Sequence, residues 1–128
     1  MPPSVNKTLL VVDDEDPICN FVKLYFEERG FKVICGHTKE EAVAQTQAAS
    51  PDVVLLDINM VAEGDGLLAL PKILEISPQI RVVMTTAVDD EISIARARKL
   101  GAVGYLTKPL ILDELEQTVY QHTGLKSA

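Results

Sequence analysis

The chain lacks any apolar run approaching the about 20 residues that a membrane-spanning helix needs. It also lacks a signal peptide: one early basic residue, Lys7, precedes a short apolar run that Asp13 breaks. Both absences predict a soluble, cytoplasmic protein with no membrane contact. Basic residues are in deficit, with 12 Lys and Arg against 19 Asp and Glu and a net charge of -7. That balance excludes direct electrostatic binding of nucleic acid or of an anionic membrane, and it suits a site that attracts a cation. Cysteine is scarce. Cys19 and Cys35 have no metal-ligand spacing, and in a reducing compartment they are expected as buried free thiols rather than a disulfide. No internal repeat, linker or low-complexity segment divides the 128 residues, of which 47% are hydrophobic. One domain over residues 1–128 with its own core is therefore expected.

What is present centres on Val53-Val54-Leu55-Leu56-Asp57. An unbroken apolar run of this kind fits a strand buried on both faces of a parallel sheet. Asp57 is then either an ordinary turn residue or a group at the carboxyl end of a central strand, where open α/β sheets bind ligands. Before it, the pattern predicts a loose lead-in over residues 1–6, a strand over 7–12, and a helix capped by Asp16 with Pro17 at its first position. Ile18, Phe21, Val22 and Tyr25 fall on one face of that helix, and Gly30 ends it. A second strand covers 31–35. Thr38-Lys39-Glu40-Glu41 is a capping box opening a second helix with Ala42, Val43 and Thr46 inward.

After Asp57 comes a loop rich in glycine and acid, 59–66, then a helix over 67–76 that Pro71 should bend or delay. Strand four covers 80–85. Asp89 can cap a helix reaching Leu100, strand five covers 103–106, and a last helix runs to about His122 with Leu112, Leu115 and Val119 inward. Strands alternating with helices predict an α/β fold, a five-stranded parallel sheet with helices on both faces. Right-handed crossovers leave few topologies; order 2-1-3-4-5, one of the two common doubly wound orders, is expected.

That order brings Asp13, Asp14 and Asp57 to one sheet edge. Clustered carboxylates repel and raise one another's pKa, and a hard divalent cation resolves the conflict. Mg²⁺ takes oxygen ligands and commonly binds one or two carboxylates plus a phosphate. The remaining strand ends supply the complement: Thr86, a hydroxyl donor followed by the small Ala87, and Lys108, a cation able to reach a phosphoryl oxygen. Taken singly, such a Thr is an ordinary turn residue and such a Lys is solvated. Their joint placement at the ends of strands one, three, four and five points to phosphoryl chemistry.

These motifs carry a resemblance. Val11-Val12-Asp13-Asp14-Glu15, Leu55-Leu56-Asp57-Ile58-Asn59-Met60, Asp65-Gly66, Thr86-Ala87 and Gly104-Tyr105-Leu106-Thr107-Lys108-Pro109 together resemble the receiver domain of bacterial two-component response regulators, over about residues 7–123. The resemblance implies a flavodoxin-like, chemotaxis-receiver-like fold and a phosphoacceptor signalling role, not an enzyme. Asp57 would accept a phosphoryl group from a sensor histidine kinase or phosphotransfer protein. Asp14, Asp57 and the Asn59 backbone carbonyl would ligate Mg²⁺, with Asp13 acting through water. Thr86 and Lys108 would bind phosphoryl oxygens, Thr86 and Tyr105 would form the switch, and the Lys108-Pro109 bond would be cis. The fourth helix, fifth strand and fifth helix would present the switched surface to an output domain or a second copy.

Some positions depart from the family pattern. Val61 stands where Pro is usual, the segment before Asp65-Gly66 holds one extra residue, and Ile111 replaces a capping Ser or Thr. A wider, more mobile loop is expected there. His37 reads as solvated, and Arg96, Arg98 and Lys99 as a small basic run on the fourth helix that is either a solvated face or a docking patch. The rival functions are an aspartyl-nucleophile phosphatase, which wants an acid where Asn59 stands, and a pseudo-receiver that binds without phosphorylation.

Overall fold

Apolar segments short enough for strands alternate with amphipathic ones long enough for helices, and in the computed structural model each takes that form. The structure describes residues 3–87 and 90–126. In chain order the elements are β1 (Thr8–Val12), α1 (Asp16–Glu27), β2 (Lys32–Gly36), α2 (Lys39–Ala49), β3 (Val53–Asp57), α3 (Asp65–Ile76), β4 (Arg81–Thr86), α4 (Glu91–Leu100), β5 (Gly104–Thr107) and α5 (Leu112–Thr123). The strands form one parallel sheet in the expected order β2-β1-β3-β4-β5.

Side chains alternate across the sheet and so build two cores. Leu10, Val12, Val54, Leu56, Val82 and Met84 pack with Ala42, Leu70, Ile73 and Ala97 of α2, α3 and α4. Leu9, Val11, Val53, Leu55 and Val83 pack with Val22 and Phe26 of α1 and with Leu115 and Val119 of α5. Every residue of β3 is buried, which is why its sequence shows no polar alternation.

Local chemistry moved several boundaries. The N-cap of α1 is Glu15, not Asp16, and its side chain makes no cap bond. The Glu15 N–H instead donates to Asp13 Oδ1 at 2.9 Å, closing a turn that starts the helix one residue early. Thr38 caps α2, accepting from the Glu41 N–H at 3.0 Å. The return bond of the box goes elsewhere: the Glu41 carboxylate accepts from the His37 N–H at 3.2 Å. Asp89 lies outside the described residues, and the N-cap of α4 is Asp90, which accepts from the Ser93 N–H at 3.0 Å. Leu112 is not inward. It is the first residue of α5, ahead of the buried positions Leu115 and Val119, and is 37% exposed. Helix α3 starts at Asp65, two residues earlier than expected, and continues past Pro71 to Ile76. Pro71 costs one backbone donor there without delaying the helix.

The lead-in is docked. The Val5 N–H donates to the Gly30 carbonyl at 3.1 Å, and Val5 packs on the α1/α5 core. Gly30 has φ +89°, and a Cβ on it would lie 2.1 Å from the Pro3 carbonyl oxygen, so glycine is required twice over.

Candidate functional site

Parallel strands deliver their carboxyl ends to one edge, and here that edge collects charge. Asp57 closes β3, Asp13 and Asp14 follow β1, and Lys108 follows β5. Backbone bonds hold these positions: Asp13 N–H to the Gly36 carbonyl at 3.0 Å, Ile58 N–H to the Thr85 carbonyl at 2.9 Å, and Lys108 N–H to the Thr86 carbonyl at 2.7 Å. The Lys108-Pro109 peptide bond is cis. Lys108 Nζ lies 2.8 Å from Asp13 Oδ2, 2.9 Å from Asp57 Oδ2 and 3.5 Å from Glu15 Oε2. Asp13 and Asp57 are only 1% and 4% exposed, while Asp14 lies at the surface. Above them opens a cleft of about 380 Å³ lined by Asp14, Glu15, Asp57, Asn59, Ala87 and Lys108.

Burial dominates the electrostatics. Loss of solvent, with the nearby Asp13 charge adding to it, raises Asp57 to about pKa 6 against the pull of Lys108 and the Asn59 N–H. For Lys108 burial works toward neutrality, but the Asp13 and Asp57 carboxylates more than reverse it and hold the ammonium above its ordinary range. At neutral pH the cleft therefore contains an ionised carboxylate of raised basicity beside a fixed cation.

The donor set fits a hard cation. Asp13, Asp14 and Asp57 can each offer one oxygen such that all three lie within 4.8 Å of one another. Such a cluster of carboxylate oxygens is the kind of donor set a hard divalent cation takes.

Hydrogen bonds lace the loop after Asp57. The Asn59 N–H donates to Asp57 Oδ1 at 3.2 Å, and Asn59 Oδ1 accepts from the Gly64 N–H at 2.7 Å. Asp65 Oδ2 accepts from the Ala62 N–H at 2.9 Å, and its Oδ1 faces Lys39 Nζ at 3.3 Å. These contacts, the backbone bond first, hold the Asp65 carboxyl below its usual range. Val61 stands outside the lacing, 76% exposed. Gly66 adds no freedom: its N–H donates to the Ile58 carbonyl at 2.8 Å, and a Cβ on it would lie 2.1 Å from the Asp57 carbonyl oxygen. It is glycine because α3 enters directly against the backbone of the central acid.

Thr86 ends β4 and is 3% exposed. Tyr105, in β5, is 41% exposed, with the Arg98 guanidinium 5.3 Å from its ring centroid. Arg96, Arg98 and Lys99 are exposed on α4. His37 does not stand alone in solvent: Nε2 lies 3.0 Å from Asp16 Oδ1 and Nδ1 3.5 Å from Glu41 Oε1. The contributions that sequence reasoning missed are the Glu15 contact to Lys108, the Asp65–Lys39 pair and the steric role of Gly66. Glu15 sits in the same acidic run as Asp13 and could have been included on that signal; the others depend on packing between distant elements.

The profile described as "Response regulator receiver domain" matches residues 9–120. The Transcriptional regulatory protein ZraR of Salmonella typhimurium is 34% identical over 111 residues, covering 87% of this chain and 25% of that protein. Among solved structures, a two-component response regulator from Clostridium difficile superposes with TM-score 0.86 at 27% identity, covering 93% of this chain and 97% of that one. A response regulator protein from Burkholderia pseudomallei, determined with a phosphorylated aspartic acid, calcium ion and citrate, gives TM-score 0.81 at 25% identity over 87% of this chain and 65% of that one. The chain thus spans only about a quarter of the length of the curated relative cited here.

Proposed function

Since the chain belongs to the response regulator receiver domain family of two-component systems, we propose that Asp57 is its phosphoacceptor. The observation that carries this reading is Lys108 Nζ bridging two buried carboxylates, Asp13 and Asp57, at the mouth of the acidic cleft. An Asp57 carboxylate oxygen attacks the phosphorus of a phosphohistidine on a histidine kinase or phosphotransfer protein. The P–N bond breaks, the imidazole leaves, and an acyl phosphate forms on Asp57. Lys108 stabilises charge on the phosphoryl oxygens, as a preplaced cation does in phosphoryl transfer generally, and Thr86 supplies a hydroxyl. Asp14, Asp57 and the Asn59 carbonyl would hold Mg²⁺, with Asp13 acting through water, and the ion would neutralise the acid cluster. The phosphorylated aspartic acid of the Burkholderia protein supports the phosphoacceptor assignment.

The same reading makes Thr86 and Tyr105 the switch. Thr86 turns toward the phosphoryl group, and the half-exposed Tyr105 ring turns inward, remodelling the surface of α4, β5 and α5 for an output domain or a second copy. The location is the cytoplasm, where a kinase would meet it; no helix among the described residues is long and apolar enough to cross a membrane. A signalling rather than hydrolytic role is supported at Asn59. It occupies the place where the phosphatase rival wants an acid, and its side chain closes the loop to Gly64.

The experiment is incubation of the protein with a small phosphodonor and Mg²⁺, read by intact mass. One phosphoryl group is expected on wild type and none on Asp57→Asn; full labelling of that variant overturns the assignment.

A further inference from the structure

The phosphoacceptor reading leaves unused the only two cysteines, and the fold brings them together from positions 16 residues apart. Cys19 sits on the inward face of α1 and is 2% exposed, and Cys35 lies near the end of β2, partly exposed. Cys35 is the register partner of Val11 across β1 and β2. Cys19 Sγ lies 4.0 Å from the Val11 carbonyl oxygen and 3.6 Å from that of Asp13. Cys35 Sγ lies 3.7 Å from the Cys19 carbonyl oxygen, so the Cys35 side chain rests against the backbone of Cys19. Cys19 Sγ contacts the Val11 carbonyl and Cys35 pairs with Val11 across the sheet, so the two cysteines are neighbours, as a disulfide requires.

We propose that Cys19 and Cys35 form an oxidation site, in which hydrogen peroxide converts the two thiols to an intramolecular disulfide that slows phosphorylation of Asp57. The balance is complete. The Cys35 thiolate attacks one peroxide oxygen, the O–O bond breaks, and water leaves after protonation, giving a sulfenic acid. Cys19 sulfur then attacks Cys35 sulfur, and a second water leaves with the remaining thiol proton. Two sulfurs are oxidised by one electron each, and one hydrogen peroxide takes up both electrons. Cys35 suits the attacking role. It is the more exposed of the two cysteines, as attack on a peroxide requires.

The link to the acid cluster is through one residue. Asp13 is gripped on both sides of the dithiol: its carbonyl by the Cys19 thiol, and its N–H by the carbonyl of Gly36, the residue after Cys35. A disulfide removes the thiol donor from the Asp13 carbonyl and pulls α1 and β2 toward one another. Asp13 then shifts against Lys108, 2.8 Å from its carboxylate.

This inference rests on the phosphoacceptor reading, and the test separates the two. The whole protein is treated with hydrogen peroxide, quenched, alkylated and mapped by mass. The expected product is one Cys19–Cys35 linkage per chain, reversed by dithiothreitol, that Cys35→Ser and Cys19→Ser each prevent. The oxidised protein should take phosphoryl from a small phosphodonor severalfold more slowly than the reduced protein, and reduction should restore the rate. Cys35→Ser should keep the reduced rate after peroxide. Two alkylatable thiols after oxidation, an intermolecular linkage, or equal rates for the two forms each overturn the proposal. Failure of the fully reduced protein to be phosphorylated counts instead against the phosphoacceptor assignment.

Discussion

Two aspartates bracket β3, and they live in different chemistry. Asp52, just before the strand, has its charge met by backbone. Its Oδ2 accepts from the Thr8 N–H at 2.8 Å, its own N–H donates to the Thr8 carbonyl at 2.9 Å, and its carbonyl accepts from the Arg81 N–H at 3.3 Å. It splices β1 and β4 onto the start of β3. Asp57, one strand-length on, is buried among other charges and raised to about pKa 6. A carboxylate answered by neutral donors is a structural tie. One set beside a second buried acid and a lysine is held in a conflict that a cation or a phosphoryl group can resolve.

The strongest way to break this contrast is at Gly66, which lets α3 reach the Asp57 backbone. Gly66→Ala places a Cβ against backbone atoms at 2.1 and 2.9 Å. Neither can yield cheaply, so a loss of about 3 to 5 kcal/mol is expected in urea denaturation. A loss below about 1 kcal/mol would show that the reactive end of β3 is as forgiving as a surface turn.

Titration sharpens the contrast next. The folded Asp57 pKa of about 6 lies above the unfolded value of about 3.9, so the native state binds the extra proton between them. Asp57 ionisation therefore opposes folding, fully above about pH 6 and not at all below about pH 4. In Mg²⁺-free buffer the stability of Asp57→Asn relative to wild type should be greatest at neutral pH. It should fall by on the order of 3 kcal/mol as the pH drops through that window. A pH-independent difference would mean that Asp57 is not desolvated in the way its burial implies.

The smallest effect is expected at the other end of the strand. Asp52→Ala removes the acceptor of the Thr8 N–H and should cost about 1 kcal/mol, a fall in Tm of roughly 4 °C, with phosphorylation of Asp57 intact. Loss of phosphorylation in that variant, measured by intact mass after treatment with a small phosphodonor, would erase the distinction between the two residues.

Much of this was legible along the chain because the signals are local. Four-residue apolar runs, helical spacing and the Thr38 cap depend on side-chain period and near-neighbour bonds, which hold whatever the tertiary context. A parallel sheet then carries every strand's carboxyl end to one edge, so the meeting of Asp13, Asp14, Asp57 and Lys108 followed from strand order alone. Tertiary structure decided what depends on register and close approach between distant elements. Asp52 and Asp57 flank the same apolar run; strand direction put Asp57 at the carboxyl edge, but only the partners brought across the sheet made Asp52 a splice. Gly66 was glycine because α3 abuts β3, not because the loop needed freedom. Lys39 found Asp65 across 26 residues, and Cys35 found Cys19 because β2 lies beside β1 beneath α1. The physical reason is common to all of these. Hydrogen bonds, ion pairs and steric contacts act over a few ångströms of space, and separation along the chain says little about that distance until the fold sets it.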